Sequence, residues 1–344
     1  MKKATLKRTT GSVLAAFMLA GVLTGCGGGQ AGGDLQTLTL TIGHNNTGTT
    51  VTSFIADEFK RLLEEKSDGK IKVEVYPGGQ IGSDREMLDS VRAGDLNFVV
   101  QGTGSQVSNV PDAGVFDMPF MFDTADEARK AVDDPEFREL LNKSYSDAGL
   151  DLTLLSDQGF RELSTNKKID SFESFKGMNL RTQENPVHVS FWKAMGVNAT
   201  PMAQAEVFLS LQQGLLDGQE NPYITIDNFK LQEVQEYLVD THHIFHLVTV
   251  VGNRDFIASL PQEYQDMIRE TADEVLVSSR KMSDESVEEY RQKLIADGMT
   301  YIEVDDIPGM RDQMKEATKD TDQLIRETVN GDLVDAYFKA AGLN

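Results

Sequence analysis

The chain has a single cysteine, Cys26, among its 344 residues. A disulfide bond within one copy of the chain is therefore impossible, and the fold cannot depend on one. Long apolar runs are scarce too, because no stretch after residue 25 is long and apolar enough to cross a bilayer. We expect the later residues to be soluble and any membrane attachment to come from the beginning of the sequence.

Positive charge is also in short supply. The chain carries 33 Lys and Arg against 55 Asp and Glu, which gives a formal net charge of -22. A surface this acidic argues against nucleic acid and anionic lipid as partners, because both are polyanions. An anionic small molecule would need a local cluster of cationic side chains or backbone dipoles to hold it.

The first residues have the pattern of an export signal. Four basic residues lie within the first eight positions, an uncharged stretch occupies 9–23, and Leu23-Thr24-Gly25-Cys26 follows. A basic start, a short apolar stretch and small residues before a cleavage point are typical of a secretory signal peptide. The last four residues resemble a bacterial lipobox, which implies cleavage before Cys26 and lipid attachment to it. We predict a signal peptide at 1–25, then the lipidated cysteine and a flexible Gly-rich tether at 26–37.

Strand and helix patterns alternate through the rest of the chain. Strand patterns occur at 39–42, 71–75, 96–100, 150–155, 178–181 and 245–251. Helical spacing of apolar residues separates them, at 54–63, 87–91, 187–195, 205–215 and 226–238. Strands that alternate with helices predict an α/β fold.

A much longer helical pattern runs from Pro261 to about Asp297 without an internal Gly or Pro. It exceeds an ordinary globular helix, and its apolar positions do not keep the strict heptad of a coiled coil. We expect a helix that runs along two domains. Helical patterns at 310–329 and 333–341 complete the chain.

The tetrapeptide Gln-Glu-Asn-Pro occurs twice, at 183–186 and at 219–222. The flanking residues share nothing and no third copy follows, so a repeat architecture is excluded. In each copy an Asn, a Pro and a helical pattern follow one another, which predicts an Asn N-cap with proline at the first helical position. Both copies are therefore expected to begin helices.

The stretch from Gly177 to Pro222 carries several recognisable elements. They are Leu180-Arg181, Ala194-Met195-Gly196, Thr200-Pro201-Met202, Glu206-Val207, Leu211-Gln212-Gln213-Gly214 and Asp217-Gly218-Gln219-Glu220-Asn221-Pro222. This stretch resembles the signature of solute-binding proteins from tripartite ATP-independent periplasmic (TRAP) transporters. Tyr76-Pro77 with Gln80-Ile81-Gly82, and Gly159-Phe160-Arg161, resemble the family as well. The resemblance covers nearly all of residues 38–344 in order.

The resemblance implies a two-domain α/β fold of the periplasmic-binding-protein type, with an interdomain cleft and a long domain-spanning helix. We expect domain I to hold 38–158 and 247–286, and domain II to hold 159–246 and 287–344. The implied function is capture of a small organic acid outside the cytoplasm and its delivery to the membrane permease subunits of a TRAP transporter. No cofactor and no catalytic residue are implied.

The resemblance also implies which residues hold the ligand. Arg181 would pair with the ligand carboxylate, and Arg161 and Asn221 would assist it. A guanidinium group suits this role, because its planar fork matches a carboxylate and keeps its charge when water is removed. An alternative for Arg161 is an ion pair with an acidic neighbour such as Glu162.

Further ligand-binding candidates lie at strand ends and in the first QENP copy. His44 and Asn45 follow the first strand, and Gln101 follows the third. In the first QENP copy, which is interpreted as scaffold, Gln183 and Glu184 are candidates to meet ligand hydroxyl groups. The ligand class stays open between dicarboxylates such as succinate or malate and sugar acids such as glucuronate or galacturonate. The polar candidates favour a hydroxylated sugar acid.

Other chemistries have weaker support. His242, His243 and His246 lie at the entry to a strand, where alternation places the first two on opposite faces, so no metal site is predicted. The glycines at 102 and 104 lack the third glycine of a dinucleotide site. No Gly-x-Ser-x-Gly motif and no Cys–His pair supports an enzyme. A sensor subunit that reports its ligand to a signalling receptor is the alternative function.

Overall fold

The computed structural model describes residues 36–343. The predicted signal peptide, Cys26 and most of the tether lie outside the described residues. From Thr37 onward the chain forms one compact unit. None of the helices within residues 36–343 combines the length and the apolar composition that a bilayer-crossing segment needs.

Residues 36–343 form nine strands that pair into one sheet. They are β1 Leu38–Gly43, β2 Ile71–Tyr76, β3 Phe98–Gly102, β4 Leu150–Thr165, β5 Asn179–Thr182, β6 Asn198–Pro201, β7 Gly218–Asn221, β8 Tyr237–Asn253 and β9 Thr300–Glu303. The order across the sheet is β2-β1-β3-β8-β4-β7-β5-β6, and β9 pairs with β8. Strand β1 pairs in parallel with β2 and β3, and β5 pairs in parallel with β6 and β7. The other three pairs among these strands are antiparallel: β3 with β8, β8 with β4, and β4 with β7.

Twelve α-helices accompany the sheet within the described residues. They are α1 Val51–Lys66, α2 Asp84–Ala93, α3 Ala125–Val132, α4 Pro135–Asp147, α5 Pro186–Ala194, α6 Val207–Gln212, α7 Tyr223–Asn228, α8 Arg254–Ser259, α9 Gln262–Ala296, α10 Met310–Thr318, α11 Thr321–Thr328 and α12 Gly331–Ala340. The α/β class predicted from the sequence is confirmed.

The first lobe consists of β1, β2 and β3 with helices α1 to α4. Helix α1 buries one apolar face against this part of the sheet, and its Phe59 ring lies 5.8 Å from the Phe98 ring of β3. Since parallel strands end at the same edge of a sheet, His44 after β1 and Gln101 at the end of β3 are brought to one edge.

The second lobe consists of β5, β6 and β7 with helices α5, α6, α7 and α10. Its core surrounds Trp192, which is fully buried and meets the Phe191 ring edge-on at 5.2 Å. Helix α5 begins at Pro186, and the Asn185 side chain caps it by accepting from the backbone N–H of Val187 at 2.9 Å. The first QENP copy therefore begins a helix as predicted.

The strands β4 and β8, of 16 and 17 residues, run through both lobes and pair with each other along most of their length. Their register shifts between Asp157 and Phe160 and again between Arg161 and Leu163. Helix α9 has 35 residues and packs against α1, β4 and α7. The long helix expected along both halves of the fold is thus confirmed.

Two expectations about local structure are wrong. Residues 226–238 do not form one helix, because α7 ends at Asn228, Lys230 takes a left-handed φ of 56°, and β8 begins at Tyr237. Asn221 is not an N-cap, since it ends β7 and Pro222 precedes α7 without a capping side chain. In both places pairing with distant strands overrides a local helical pattern.

The last two helices pack with the first lobe. Ile325 of α11 and Tyr337 of α12 belong to a buried cluster that also contains Phe116 and Phe137. The Tyr337 ring stacks on Phe137 at 4.7 Å. The predicted domain boundaries stay a prediction, and this packing favours counting α11 and α12 with the first domain.

Candidate ligand-binding site

A cleft of about 530 Å³ opens between the two lobes, and we call it the outer cleft. Its walls include Asn45, Asp84 and Ser105 from the first lobe, and Arg181 and Glu184 from the second. A volume of this size suits a small organic molecule.

A smaller space of about 40 Å³ continues inward, and we call it the inner chamber. It shares Asn45, Asp84, Arg181, Gln183, Gln204 and Phe229 with the outer cleft. Its further lining includes Gln101, Gln158, Asn221 and His246. The chamber is therefore lined mainly by polar side chains that reach it from both lobes.

Arg181 supplies a buried cation to this chamber. It lies near the end of β5, where its backbone is paired between Thr200 of β6 and Gln219 of β7, and it is 3% exposed. Its Nε donates to the backbone oxygen of Met202 at 2.9 Å, while its buried Nη1 has no partner among residues 36–343. A guanidinium group with an unused N–H edge can accept a carboxylate.

The Arg181 group stays protonated at neutral pH. Burial lowers its pKa to about 10, although the carboxylates of Glu220, Asp84 and Glu184 act in the opposite direction. A buried cation without a matched anion is costly for the free protein. An anionic ligand that binds it would remove that cost.

Several carboxamide groups of the chamber also lack partners. Within residues 36–343, buried atoms without a hydrogen-bond partner include both side-chain atoms of Gln101, Oε1 of Gln158, Oε1 of Gln183 and Nε2 of Gln204. Unsatisfied buried polar groups are rare in folded proteins and call for an explanation. Hydroxyl groups of a ligand would satisfy them, because a hydroxyl group both donates and accepts.

Arg161 has a different environment from Arg181. It is fully buried and lines neither the outer cleft nor the inner chamber. Its Nε and Nη2 donate to the Glu220 carboxylate, Nη2 also reaches Oδ1 of Asn221 at 3.1 Å, and Nη1 lies 3.0 Å from Nδ1 of His246. The structure therefore gives Arg161 an acidic partner, which is Glu220 and not the neighbouring Glu162.

Glu220 is the centre of a buried network of charges. Burial would raise the pKa of its carboxyl, but Arg161 and His188 hold that pKa well below the usual value. Nε2 of His243 lies 3.2 Å from Glu220 Oε2 on another side of the carboxylate. The three histidines His242, His243 and His246 have separate partners. His243 lies against Glu220 and His246 against Arg161, whereas the Nε2 atom of His242 lies 3.3 Å from the backbone oxygen of Asp123.

His188 connects this network to the first lobe. Its Nε2 lies 3.0 Å from Asp117 Oδ1 and its Nδ1 lies 3.4 Å from Glu220 Oε1. Burial would lower its pKa, but the two carboxylates raise it to about 9. We infer an imidazolium that donates to one carboxylate on each side.

The stability of the protein should fall as pH rises through the pKa of His188. The pKa of this group is raised from 6.5 to about 9 in the fold, so its contribution is complete below pH 6.5 and is lost above about 9. The side chain is 1% exposed, and the loss should be on the order of 3 kcal/mol. Urea unfolding of wild type and His188→Gln between these two pH values would measure it. Parallel pH profiles of the two proteins would contradict the assignment.

Asn185 of the first QENP copy also joins the two lobes. Its Nδ2 donates to the backbone oxygen of Gly104 at 3.0 Å and to Asp117 Oδ2 at 2.7 Å. At Gly104 an added Cβ would lie 2.3 Å from Gln183 Oε1, so the Gln183 side chain would have to move to admit a side chain there. The first QENP copy therefore caps a helix and also contributes to the contact between the lobes.

The other predicted site residues divide into two groups. Asn45, Gln101 and Asn221 line the inner chamber, and Glu184 lines the outer cleft. His44 is 2% exposed but lines neither space. Ligand contacts of all these residues stay predictions.

Asp84, Gln158 and Gln204 are among the chamber residues that sequence reasoning missed. Asp84 begins α2 and accepts from Asn45 Nδ2 at 2.6 Å, and burial raises its pKa to about 7 against the attraction of Arg181. Gln158 directly precedes Gly159-Phe160-Arg161, and Gln204 lies two residues after Met202. The only indication in the sequence was that each lies within two residues of a segment that resembles the family.

The sheet order, the two lobes and the chamber between them define a two-lobed α/β binding protein. The family model described as "Bacterial extracellular solute-binding protein, family 7" matches residues 42–324. The chain belongs to this family, and it is a solute-binding protein of the TRAP type.

Relatives and solved structures agree with this assignment. A solute-binding protein of Verminephrobacter eiseniae is 32% identical over 248 residues, which cover 72% of this chain and 74% of the relative. The 2,3-diketo-L-gulonate-binding periplasmic protein of Escherichia coli is 29% identical over 266 residues, or 77% of this chain and 79% of the relative. The crystal structure of the sugar acid binding protein of Advenella mimigardefordensis with galactonate has a TM-score of 0.85 and 27% identity, and covers 90% of this chain and 99% of that one.

Proposed function

We propose that this chain captures a monocarboxylic sugar acid of the aldonate type outside the cytoplasm and delivers it to TRAP membrane permease subunits. One observation carries the proposal: among residues 36–343, the buried Nη1 of Arg181 has no hydrogen-bond partner, in a chamber whose Gln101 carboxamide has none at either atom. The cation would bind the carboxylate, and the carboxamides would bind the hydroxyl groups. Relatives described as binding diketogulonate or galactonate support this class of ligand.

In the proposed complex Arg181 pairs with the ligand carboxylate from the second lobe. Asn221 lies beside it in the chamber, and its orientation is fixed because its Nδ2 donates to Gln219 Oε1 at 2.6 Å. Arg161 acts through Asn221, whose Oδ1 it contacts. Gln101 and Asn45 contact the ligand from the first lobe, so that ligand bound by both sides favours the closed arrangement.

Two acidic side chains argue against a dicarboxylate. Asp84 lines both spaces and Glu184 lines the outer cleft. A second ligand carboxylate in the cleft would meet these like charges, which is unfavourable in a site partly removed from water. The same two carboxylates suit hydroxyl groups or a cationic group on the ligand. Ectoine, named for a relative of Halomonas elongata that is 28% identical over 307 residues, is therefore a second candidate.

We further propose that the mature chain is lipid-anchored. Its signal peptide would be removed before Cys26, and the tether up to residue 37 would separate the lipid from the folded unit that begins at Thr37. We also propose that the register shift between Asp157 and Phe160 in the crossing strands is the hinge between the lobes. The family assignment favours transport over the sensor alternative.

Thermal unfolding with a panel of acids tests the proposed ligand class. We would use the chain without residues 1–25 and with Cys26→Ser, and add galactonate, gulonate, glucuronate, succinate or ectoine. An aldonate at 100 times its Kd should stabilise the fold by about 2.7 kcal/mol and raise Tm clearly. A Tm shift with succinate alone, with ectoine alone or with none of them would contradict the sugar-acid proposal. Delivery would be measured as uptake of the labelled acid by cells with and without this chain.

A further inference from the structure

A second cavity lies among the crossing strands and the long helix, and we call it the rear cavity. Its volume is about 100 Å³. Its lining comes from β4, β8, α7 and α9, and consists of Gln158, Phe160, Glu162, Tyr223, Ile224, Asp240, His242, Ser286, Val287, Glu288 and Arg291. Of these residues only Gln158 also lines the inner chamber, and the proposed ligand-binding function does not use the others.

Three side chains bring possible metal-ligand atoms together at this cavity. Nδ1 of His242 lies 3.5 Å from Glu162 Oε1 and 3.8 Å from Asp240 Oδ1. One possible ligand atom from each of the three residues can be chosen so that all three atoms lie within 4.8 Å of one another. Ligands at about 2.0–2.1 Å from a tetrahedral Zn²⁺ ion lie roughly 3.3–3.5 Å from each other, so the two separations measured from His242 Nδ1 are close to that geometry.

The remaining atoms of the two carboxylates are already held in place. Glu162 Oε2 accepts from the backbone N–H of His242 at 2.7 Å. Asp240 Oδ2 accepts from the Tyr301 hydroxyl group at 2.5 Å. Each carboxylate therefore uses one oxygen for a supporting hydrogen bond and turns the other towards His242 Nδ1. Supporting bonds of this kind are typical of metal ligands.

The imidazole ring of His242 is oriented with its Nδ1 towards the two carboxylates. Its Nε2 lies 3.3 Å from the backbone oxygen of Asp123, and this atom can only accept. The Nε2 proton is therefore directed at this carbonyl oxygen, and Nδ1, which faces the two carboxylates, is the ring atom that a metal ion would bind in place of a proton. The Phe160 ring stacks on the imidazole at 3.5 Å, and the backbone of His242 takes a left-handed φ of 49° that few non-glycine residues adopt.

A buried hydroxyl group beside the carboxylates gives a second indication of a ligand. Tyr223 lines the rear cavity and is 6% exposed, and its hydroxyl group lies near the Asp240 carboxylate but makes no well-aligned hydrogen bond among residues 36–343. A water molecule on a bound metal ion would provide a well-aligned partner. Arg291 is paired with Glu288, and Arg311 with Asp305 and the backbone oxygen of Thr241. Arg311 is near enough to attract Asp240 and Glu162, but neither arginine forms an ion pair with these two carboxylates within residues 36–343.

We propose that Glu162, Asp240 and His242 form a binding site for a divalent transition-metal ion, with Zn²⁺ best suited to one nitrogen and two oxygen ligands. The ion would join β4 to β8 where these strands cross from one lobe to the other. Its fourth position would hold water facing Tyr223. The site is separate from the residues proposed to bind the acid, and either proposal can fail without the other.

Metal titration of the Cys26→Ser mature chain tests this site, since that substitution removes the thiol as a competing ligand. After treatment with a chelator, calorimetric titration with ZnCl₂ should show one equivalent bound, and Co²⁺ should give the visible absorption of a tetrahedral site. His242→Asn, which tolerates the left-handed backbone, and Asp240→Asn should each weaken Zn²⁺ binding by at least ~10-fold. The control Asp255→Asn removes an exposed carboxylate outside the rear cavity and should bind like wild type.

Two results would overturn the metal site. One is the absence of stoichiometric Zn²⁺ binding to the wild-type chain. The other is equal Zn²⁺ affinity in wild type, His242→Asn and Asp240→Asn, because the ion would then bind to surface carboxylates elsewhere. Circular dichroism of each variant would verify that the fold is retained, and Glu162→Gln provides a third variant if one of the two fails to fold.

Discussion

Replacing Arg181 by alanine should weaken sugar-acid binding by about 100-fold or more without destabilising the free protein. The loss follows because the ligand carboxylate would enter a buried chamber that has lost its cation, and truncating a buried charged partner costs on the order of 2–5 kcal/mol. The free protein should keep or gain stability, since Arg181 is 3% exposed and its Nη1 has no partner in the part of the chain that the structure describes. Calorimetric titration and urea unfolding would measure the two effects separately.

Two further variants sharpen the Arg181 experiment. Arg181→Lys keeps the charge but loses the planar fork, so its affinity should lie between those of wild type and the alanine variant. Arg254→Ala is the matched control, because Arg254 is an exposed arginine paired with its neighbour Asp255 outside both spaces of the site. Undiminished affinity of Arg181→Ala would remove this residue from the site, whatever ligand is found.

The elements with strong local patterns could be predicted from the sequence. Helix α9 was predicted at nearly its observed length, because an uninterrupted helical pattern follows Pro261 and ends before Gly298. Helix α5 was predicted from Asn185 and Pro186, whose capping depends on neighbouring residues alone. The parallel strands β1 and β2 alternate clearly, and the structure pairs them as expected for adjacent βαβ strands.

Elements that depend on distant partners could not be predicted in the same way. The helical pattern at 226–238 wrongly includes the start of β8. Leu238 and Val239 pair with residues of β4 and β9, which lie far away in the sequence. The long strands β4 and β8 were predicted as short ones, since their register shifts interrupt the alternation of apolar residues. Local spacing carries no information about which distant strand is paired.

The residues that line the candidate site could be predicted in part, but the ion-pair partners within it could not. Arg181, Asn221 and Gln101 line one chamber, although they lie on three strands of the two lobes. The partner of Arg161 could not be predicted, because Glu220 is 59 residues away in the sequence and the chain offers 55 acidic residues as alternatives. An acidic neighbour such as Glu162 was the obvious partner in sequence, but its side chain lines the rear cavity instead.

Replacing Glu220 by glutamine should destabilise the protein by about 3–5 kcal/mol, which is a large share of the stability of an ordinary domain. Glutamine nearly preserves the shape of the side chain, so the loss would come from charge. It would leave Arg161, which is fully buried, without the carboxylate that accepts from its Nε and Nη2, and would remove one of the two anions beside His188. Urea unfolding at neutral pH would measure the change in the free energy of unfolding.

The control and a double substitution decide whether charge pairing is the cause. Glu184→Gln changes an exposed glutamate in the outer cleft and should alter stability by less than ~0.5 kcal/mol. Arg161→Met combined with Glu220→Gln removes both partners, so the pair should lose clearly less stability than the two single variants added together. Additive losses would mean that the two groups stabilise the fold independently, and the network around Glu220 would then contribute by packing instead of by charge.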